Sequence, residues 1–173
     1  FDAHSRLSSP SKKELLEKLN SALQRTRAFL EEASHVCITL GTAWVYYQGT
    51  NNQTVANCHK VPQKEFEKKL LSPKVLIKSL ERIVFLAREL NRNTQLLFTI
   101  SPVRHLKDGF VENQRSKVHL IHALHHLLDH HPGKDIAYFP AYEIVMDELR
   151  DYRFYVKDMV HPNALTIDYL WEK

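Results

Sequence analysis

Three short apolar runs, each separated from the next by a stretch of helical periodicity, constrain the fold of this chain more than any other feature. They are Val36-Cys37-Ile38-Thr39-Leu40, Gln95–Ile100 and Ile136–Phe139. A β-rich run this short and this continuous reads as a strand buried on both faces, as in a parallel sheet. The segments around them carry helix signals. Ser9-Pro10 supplies an N-cap and a first-position proline, and Leu15, Leu16, Leu19, Leu23, Phe29 and Leu30 then recur on one face to about Ala33. Ser72-Pro73 repeats the signal ahead of Leu76, Ile77, Leu80, Val84 and Leu90, and Asn91-Arg92-Asn93 ends that helix. A third helix is expected over about 112–128, stopped by His131-Pro132-Gly133, and two short ones near 142–149 and from Pro162 onward. Helix and strand in threefold alternation is the α/β signature, a parallel sheet between helical layers. Between the first strand and the second helix, Gly49-Thr50-Asn51-Asn52 separates Trp44–Gln48 from 54–60 as a hairpin turn would.

Composition narrows the class. At 173 residues, 43% hydrophobic and 25% charged, the chain has the length and composition of a globular domain with a real core. A net charge of +4 is mild, and bases alternate with acids in Lys12-Lys13-Glu14 and Glu65-Phe66-Glu67-Lys68-Lys69. That reads as solvated helix faces and argues against nucleic acid as a partner. No apolar run is long enough to cross a membrane, and no signal-peptide pattern is found. The two cysteines, Cys37 and Cys58, make no disulfide framework. Cys37 sits in an apolar run, so a buried reduced thiol and a cytoplasmic setting are the expectation. The chain opens at Phe1, without Met, on a polar stretch that resembles the middle of a protein, so it reads as a fragment.

In open parallel sheets chemistry gathers at the carboxyl ends of strands. After the first run comes Leu40-Gly41-Thr42-Ala43-Trp44, where a glycine lets the backbone approach a ligand and offer its N–H. After the second comes Ser101-Pro102-Val103-Arg104-His105, with Arg104 and His105 placed to hold an anionic or carbonyl group. The charges and aromatics of 147–155 read as a surface network and loop packing. Asp158-Met159-Val160-His161-Pro162 differs from all of these. Its spacing lets a carboxylate reach back to an imidazole just before a helix, fixing the tautomer and leaving the other ring nitrogen to act as a general base.

Two tempting motifs carry less. His119, His122, His125 and His126 fall at helical spacings with His130-His131 beyond, but a zinc site needs three or four converging ligands, and no His-Glu-x-x-His pattern is present. A solvated histidine-rich face is expected, with no metal and no cofactor. Cys58 and His59 are sequence neighbours, and on a strand they would point to opposite faces.

The blocks Leu40-Gly41-Thr42-Ala43-Trp44-Val45-Tyr46, Ala56-Asn57-Cys58-His59-Lys60, Ser101-Pro102-Val103-Arg104-His105, Asn113-Gln114-Arg115-Ser116-Lys117, Tyr138-Phe139-Pro140-Ala141-Tyr142-Glu143, 147–155 and Asp158-Met159-Val160-His161-Pro162 run in an order that resembles the GSCFA domain family. That family is grouped with the SGNH, or GDSL-like, hydrolases. The resemblance implies a three-layer α/β/α, flavodoxin-like fold and ester or acetyl-ester chemistry on small molecules or glycans. It implies His161 as general base, Asp158 as its partner and Gly41-Thr42 as the oxyanion block. Where SGNH enzymes have an oxyanion-hole asparagine this chain has Ala43, so Asn57 or His59 is expected to replace that donor. The Gly-Ser-Cys-Phe-Ala string that names the family, and with it the serine nucleophile, does not occur here. The chain therefore resembles the carboxy-terminal two-thirds of such a domain, lacking its first strand and inactive alone. A non-catalytic carbohydrate- or protein-binding domain and an O-acyltransferase are the rival expectations.

Overall fold

The computed structural model describes residues 7–49, 53–55, 61–133 and 135–173. Strands β1 (His35–Leu40), β5 (Gln95–Ile100) and β6 (Ile136–Phe139) form a parallel sheet in the order β1-β5-β6. Its register runs His35 with Gln95 through Leu40 with Ile100, and Leu96 with Ile136 through Thr99 with Phe139. Strands β2 (Trp44–Gln48), β3 (Gln53–Val55) and β4 (Phe66–Leu70) form a small antiparallel sheet in the order β3-β2-β4, an excursion between β1 and the next helix. The helices are α1 (Lys12–Glu32), α2 (Pro73–Leu90), α3 (Gly109–His130), α4 (Ala141–Glu143) and α5 (Ala164–Trp171). The chain has an α/β fold with a parallel sheet flanked by helices, compatible with a three-layer arrangement.

Alternation along β5 explains the layering. Leu96, Phe98 and Ile100 are fully buried and pack with Leu76, Leu80 and Val84 of α2 and Leu120, Ala123, Leu124 and Leu127 of α3. Pro73 opens α2 at the first helical position behind Ser72, where its missing N–H costs nothing. The other face of the sheet carries Cys37, Thr39, Leu97, Thr99 and Phe139. It lines a groove of about 450 Å³ bounded on one side by Ile167, Leu170 and Trp171 of α5.

This corrects the expectation of strands buried on both faces. In β1, Val36, Ile38 and Leu40 are half-buried while His35, Cys37 and Thr39 are exposed. Cysteine and threonine are small and weakly polar, so a one-sided strand containing them resembles a continuous apolar run. The Cys37 thiol is consequently free and exposed, not buried. The first helix departs as well. Its cap is Ser11, whose hydroxyl accepts from the Glu14 N–H at 3.4 Å, and it buries no residue. Leu16, Leu23 and Phe29 are exposed, while Leu15, Leu19 and Leu30 are half-buried. Phe66-Glu67-Lys68-Lys69-Leu70 is strand β4, not a helix face. Its alternation buries Phe66 and brings Lys68 over the Trp44 and Tyr46 rings of β2.

Candidate active site

The site is assembled from loops that leave the carboxyl ends of β1 and β5 and from the loop between Tyr155 and α5. In the last of these, Tyr155 and Pro162 form an antiparallel bridge, and the Val156 N–H donates to the His161 carbonyl at 2.9 Å. Between them Met159 takes a left-handed conformation, φ 60°, which turns the chain sharply. The turn folds the Asp158 carboxylate over the chain that follows it. Oδ1 accepts from the N–H of Val160 at 2.8 Å and of His161 at 3.0 Å, and Oδ2 lies 2.6 Å from His161 Nδ1. Those two backbone N–H groups, and then the imidazole, hold the Asp158 carboxyl down at about 2. The carboxylate is fixed by backbone, and it fixes the ring. No partner among the described residues reaches the other ring nitrogen of His161, which stands 61% exposed.

The same loop is secured on both sides. Asn163 caps α5, accepting from the Thr166 N–H at 3.1 Å, and its amide donates to the Arg153 carbonyl at 2.7 Å. Thr166, fully buried, donates its hydroxyl to the Phe154 carbonyl at 2.5 Å. On the other side Arg104 donates from Nη2 to the Met159 carbonyl at 2.6 Å and lies over the rings of Tyr155 and Tyr152, 4.7 and 5.5 Å from their centroids. Arg104 is thus engaged as a clamp between the loop after β5 and the Asp158–His161 turn. It also lines a cavity of about 170 Å³ with Val145, Met146 and Arg150, whose floor is the π-helical turn Ile144–Leu149 after α4.

The loop after β1 is held from beneath by α3. Ser116 accepts the Ala43 N–H at 2.7 Å and shares a hydrogen bond with the Thr42 hydroxyl at 3.0 Å. The Thr42 hydroxyl in turn accepts from the Trp44 N–H at 3.2 Å. Lys117, wholly buried, donates to the Gly41 carbonyl at 2.7 Å and to the Ser101 carbonyl at 2.6 Å. It ties the carboxyl ends of β1 and β5 together. No carboxylate pairs with it among the described residues, and burial brings its ammonium down to about 8. Asn113, also buried, accepts the His105 N–H at 2.8 Å.

The His105 ring lies against Gly41. A Cβ built on Gly41 would meet its Nε2 at 3.6 Å, ordinary contact, so glycine is not demanded there by crowding. Burial first, then the charges of Lys117 and Lys68, push His105 below its usual value, which keeps the ring neutral at pH 7. With Thr42, Trp44, Tyr46 and Lys68 it lines a cavity of about 230 Å³ beside the β1 loop.

The structure therefore brings Gly41, Thr42 and His105 together, and separately joins Arg104 to the Asp158–His161 turn. Asn57 and His59 lie outside the described residues. Ser116 and Lys117 were not expected as site residues, although the sequence carried a signal. Both fall at helical spacing on the face of α3 that also carries Asn113, Leu120 and Leu124, where a lysine is out of place. Four of the five histidines of α3 meet a neighbour, although the Nδ1 of His126 is buried with no hydrogen-bond partner among the described residues. His119 meets the Leu71 carbonyl, His130 stacks on His126, and His125 meets Tyr138 edge-on. Among the described residues no group of three or more His, Cys, Asp or Glu side chains could hold a metal. No described helix is long and apolar enough to cross a membrane.

The model of the GSCFA family matches residues 1–173, the entire chain. This protein belongs to the GSCFA family. No curated protein and no solved structure matches it.

Proposed function

We propose that this GSCFA chain supplies the acid–base pair and part of the oxyanion frame of an SGNH-like ester or acetyl-ester hydrolase acting on acylated small molecules or glycans. One observation carries the reading: His161 Nδ1 lies 2.6 Å from a carboxylate that two backbone N–H groups already hold in place, while the opposite ring nitrogen is free among the described residues. That arrangement selects the tautomer with the proton on Nδ1. The other nitrogen can then take a proton from a hydroxyl nucleophile and return it to the leaving alcohol. Asp158 stabilises the imidazolium without taking the proton itself.

The nucleophile in this reading is the serine of the Gly-Ser-Cys-Phe-Ala block, which these 173 residues do not contain. On an activated acetyl ester the 173-residue chain should show no saturable turnover. A protein that carries the block ahead of these residues should hydrolyse the ester, and His161→Ala should lower that rate by about 10²–10⁴-fold. Asp158→Asn should cost no more than loss of the base. Turnover by the 173-residue chain that depends on Cys58 would replace the serine with a thiol.

A second reading, a carbohydrate- or protein-binding domain that kept the fold, draws on Ala43. That residue is 1% exposed and its N–H is committed to Ser116, so the position expected to supply an oxyanion donor supplies none. Inertness of the block-bearing protein on a broad ester panel, unchanged by His161→Ala, would favour it.

A further inference from the structure

We infer that the cavity of about 170 Å³ beside Arg104 is a binding site for a small oxyanion, a carboxylate or a phosphate, held between the guanidinium groups of Arg104 and Arg150. The inference goes beyond the ester-hydrolase reading and does not depend on it.

Charge is the first observation. Arg104 and Arg150 both line the cavity, and among the described residues neither lies within ion-pair distance of a carboxylate. Asp151 lines it too, but its charge is already met by another arginine. Its Oδ1 accepts the Arg153 N–H at 2.8 Å, and its Oδ2 accepts from Arg153 Nη2 at 3.0 Å. Tyr155 brings no balancing charge, because burial pushes its phenol up and keeps it neutral. The cavity is left with two cations and one carboxylate that has its own partner.

The Arg104 guanidinium is also incompletely satisfied. Nη2 donates to the Met159 carbonyl, and the group lies over the rings of Tyr155 and Tyr152. Nε is buried and has no acceptor among the described residues. A buried charged donor left unpaired is costly, and in folded proteins such groups are met by a water or an ion. Guanidinium groups take carboxylates and phosphates through paired N–H donors.

Arg150 supplies an independent observation. It sits in the left-handed region, φ 46° and ψ 17°, directly after the π-helical turn Ile144–Leu149, and its N–H closes that turn on the Val145 carbonyl at 3.2 Å. Glycine or asparagine is the ordinary residue for such a position, so a long side chain is held there against backbone strain. Its guanidinium has no hydrogen-bond partner among the described residues. Turns and strained residues of this kind gather at ligand sites. The sequence pairs Arg104 with His105 for an anionic group. His105 instead lines the other cavity with Trp44 and Lys68, and the cation that shares a cavity with Arg104 is Arg150. Since Arg104 also grips the Met159 carbonyl, a bound anion and the Asp158–His161 turn would share one guanidinium.

The test is NMR of the ¹⁵N-labelled 173-residue chain, following the Arg104 Nε–H and the Arg150 amide. Acetate or inorganic phosphate is added at constant ionic strength made up with chloride. At least one of the two should shift both signals to saturation. Tighter acetate assigns the site to a carboxylate, and tighter phosphate assigns it to a phosphate group. Arg150→Gly suits the left-handed backbone, so it should fold with an unchanged or higher urea midpoint while weakening binding about tenfold or more. Arg150→Asn, the other residue that tolerates this backbone, should do the same. If Arg150 serves only as a helix stop, both variants bind as the parent does and the inference is overturned. It is overturned equally if neither anion saturates the Arg104 signal, or if chloride alone reproduces the shifts. Anion binding by a block-bearing protein that cleaves no ester leaves this site standing and removes the hydrolase reading. Ester cleavage through His161 with no anion held here does the reverse.

Discussion

Asp158 and Lys117 place charge at the same edge of the parallel sheet by opposite means. Asp158 stands 47% exposed, and backbone N–H groups arriving at one oxygen favour its charged form. Lys117 is sealed on the buried face of α3 with two carbonyl acceptors and no carboxylate among the described residues, and burial disfavours its charged form. An exposed, backbone-held carboxylate is cheap to keep ionised. A buried ammonium with only dipoles for company is kept against a cost. The surface pair reads as chemistry because its spacing is local. The buried cation reads as chemistry only when the strand ends are seen converging on it.

Removing each side chain is the strongest way to break this contrast. Lys117→Ala leaves two buried carbonyls without donors and opens a cavity, and should cost about 2–5 kcal/mol in urea unfolding. His161→Ala, on an exposed loop, should stay within about 1 kcal/mol. Equal losses would mean that the turn, not the lysine, carries the frame. Next in size is the pH dependence of stability, where the two groups act in separate windows. Lys117 is lowered in the fold, so the unfolded chain binds the extra proton as pH climbs from about 8 toward its ordinary value. Stability should rise across that window by about 2–3 kcal/mol and be lost again as pH falls through 8. The rise should vanish in Lys117→Met. Asp158, lowered to about 2, stabilises above its ordinary value and loses that contribution as pH falls toward 2. Acid unfolding of Asp158→Asn should lack that component. Smallest is Asn163→Ala, which removes the α5 cap and the tie to the Arg153 carbonyl and should cost about 0.5–2 kcal/mol. A larger loss than that of Lys117→Ala would move the structural burden to the last loop.

Much of the frame was legible because it is encoded locally. The bounds of β5 and β6, the Ser72-Pro73 start of α2 and its end at Asn91 follow from runs and caps a few residues long. The approach of Asp158 to His161 was legible for the same reason. Strand β4 was not, because Glu67, Lys68 and Lys69 owe their conformation to pairing with β2 some twenty residues earlier. The exposure of Cys37 depends on what covers one face of a sheet, a tertiary fact. Lys117 fell between the two cases. Its place among the apolar positions of α3 was visible, but its acceptors lie at residues 41 and 101, which no spacing rule connects.

The register of the parallel sheet also dictates an order of assembly. His35 pairs with Gln95, about sixty residues along the chain, whereas Gln48 pairs with Gln53, close to it in sequence. Closing a loop that long must precede any reward from the strand pairing, so hairpin and helices form early and the parallel sheet late. The carboxyl ends of β1 and β5 meet only in that late step. Lys117 should therefore acquire its second carbonyl after most of the secondary structure exists, whereas the Asp158–His161 turn, closed within its own loop, can form early. During refolding, protection of the Ser101 amide, which donates to the Leu40 carbonyl at 2.9 Å, should lag that of the β2–β3 hairpin.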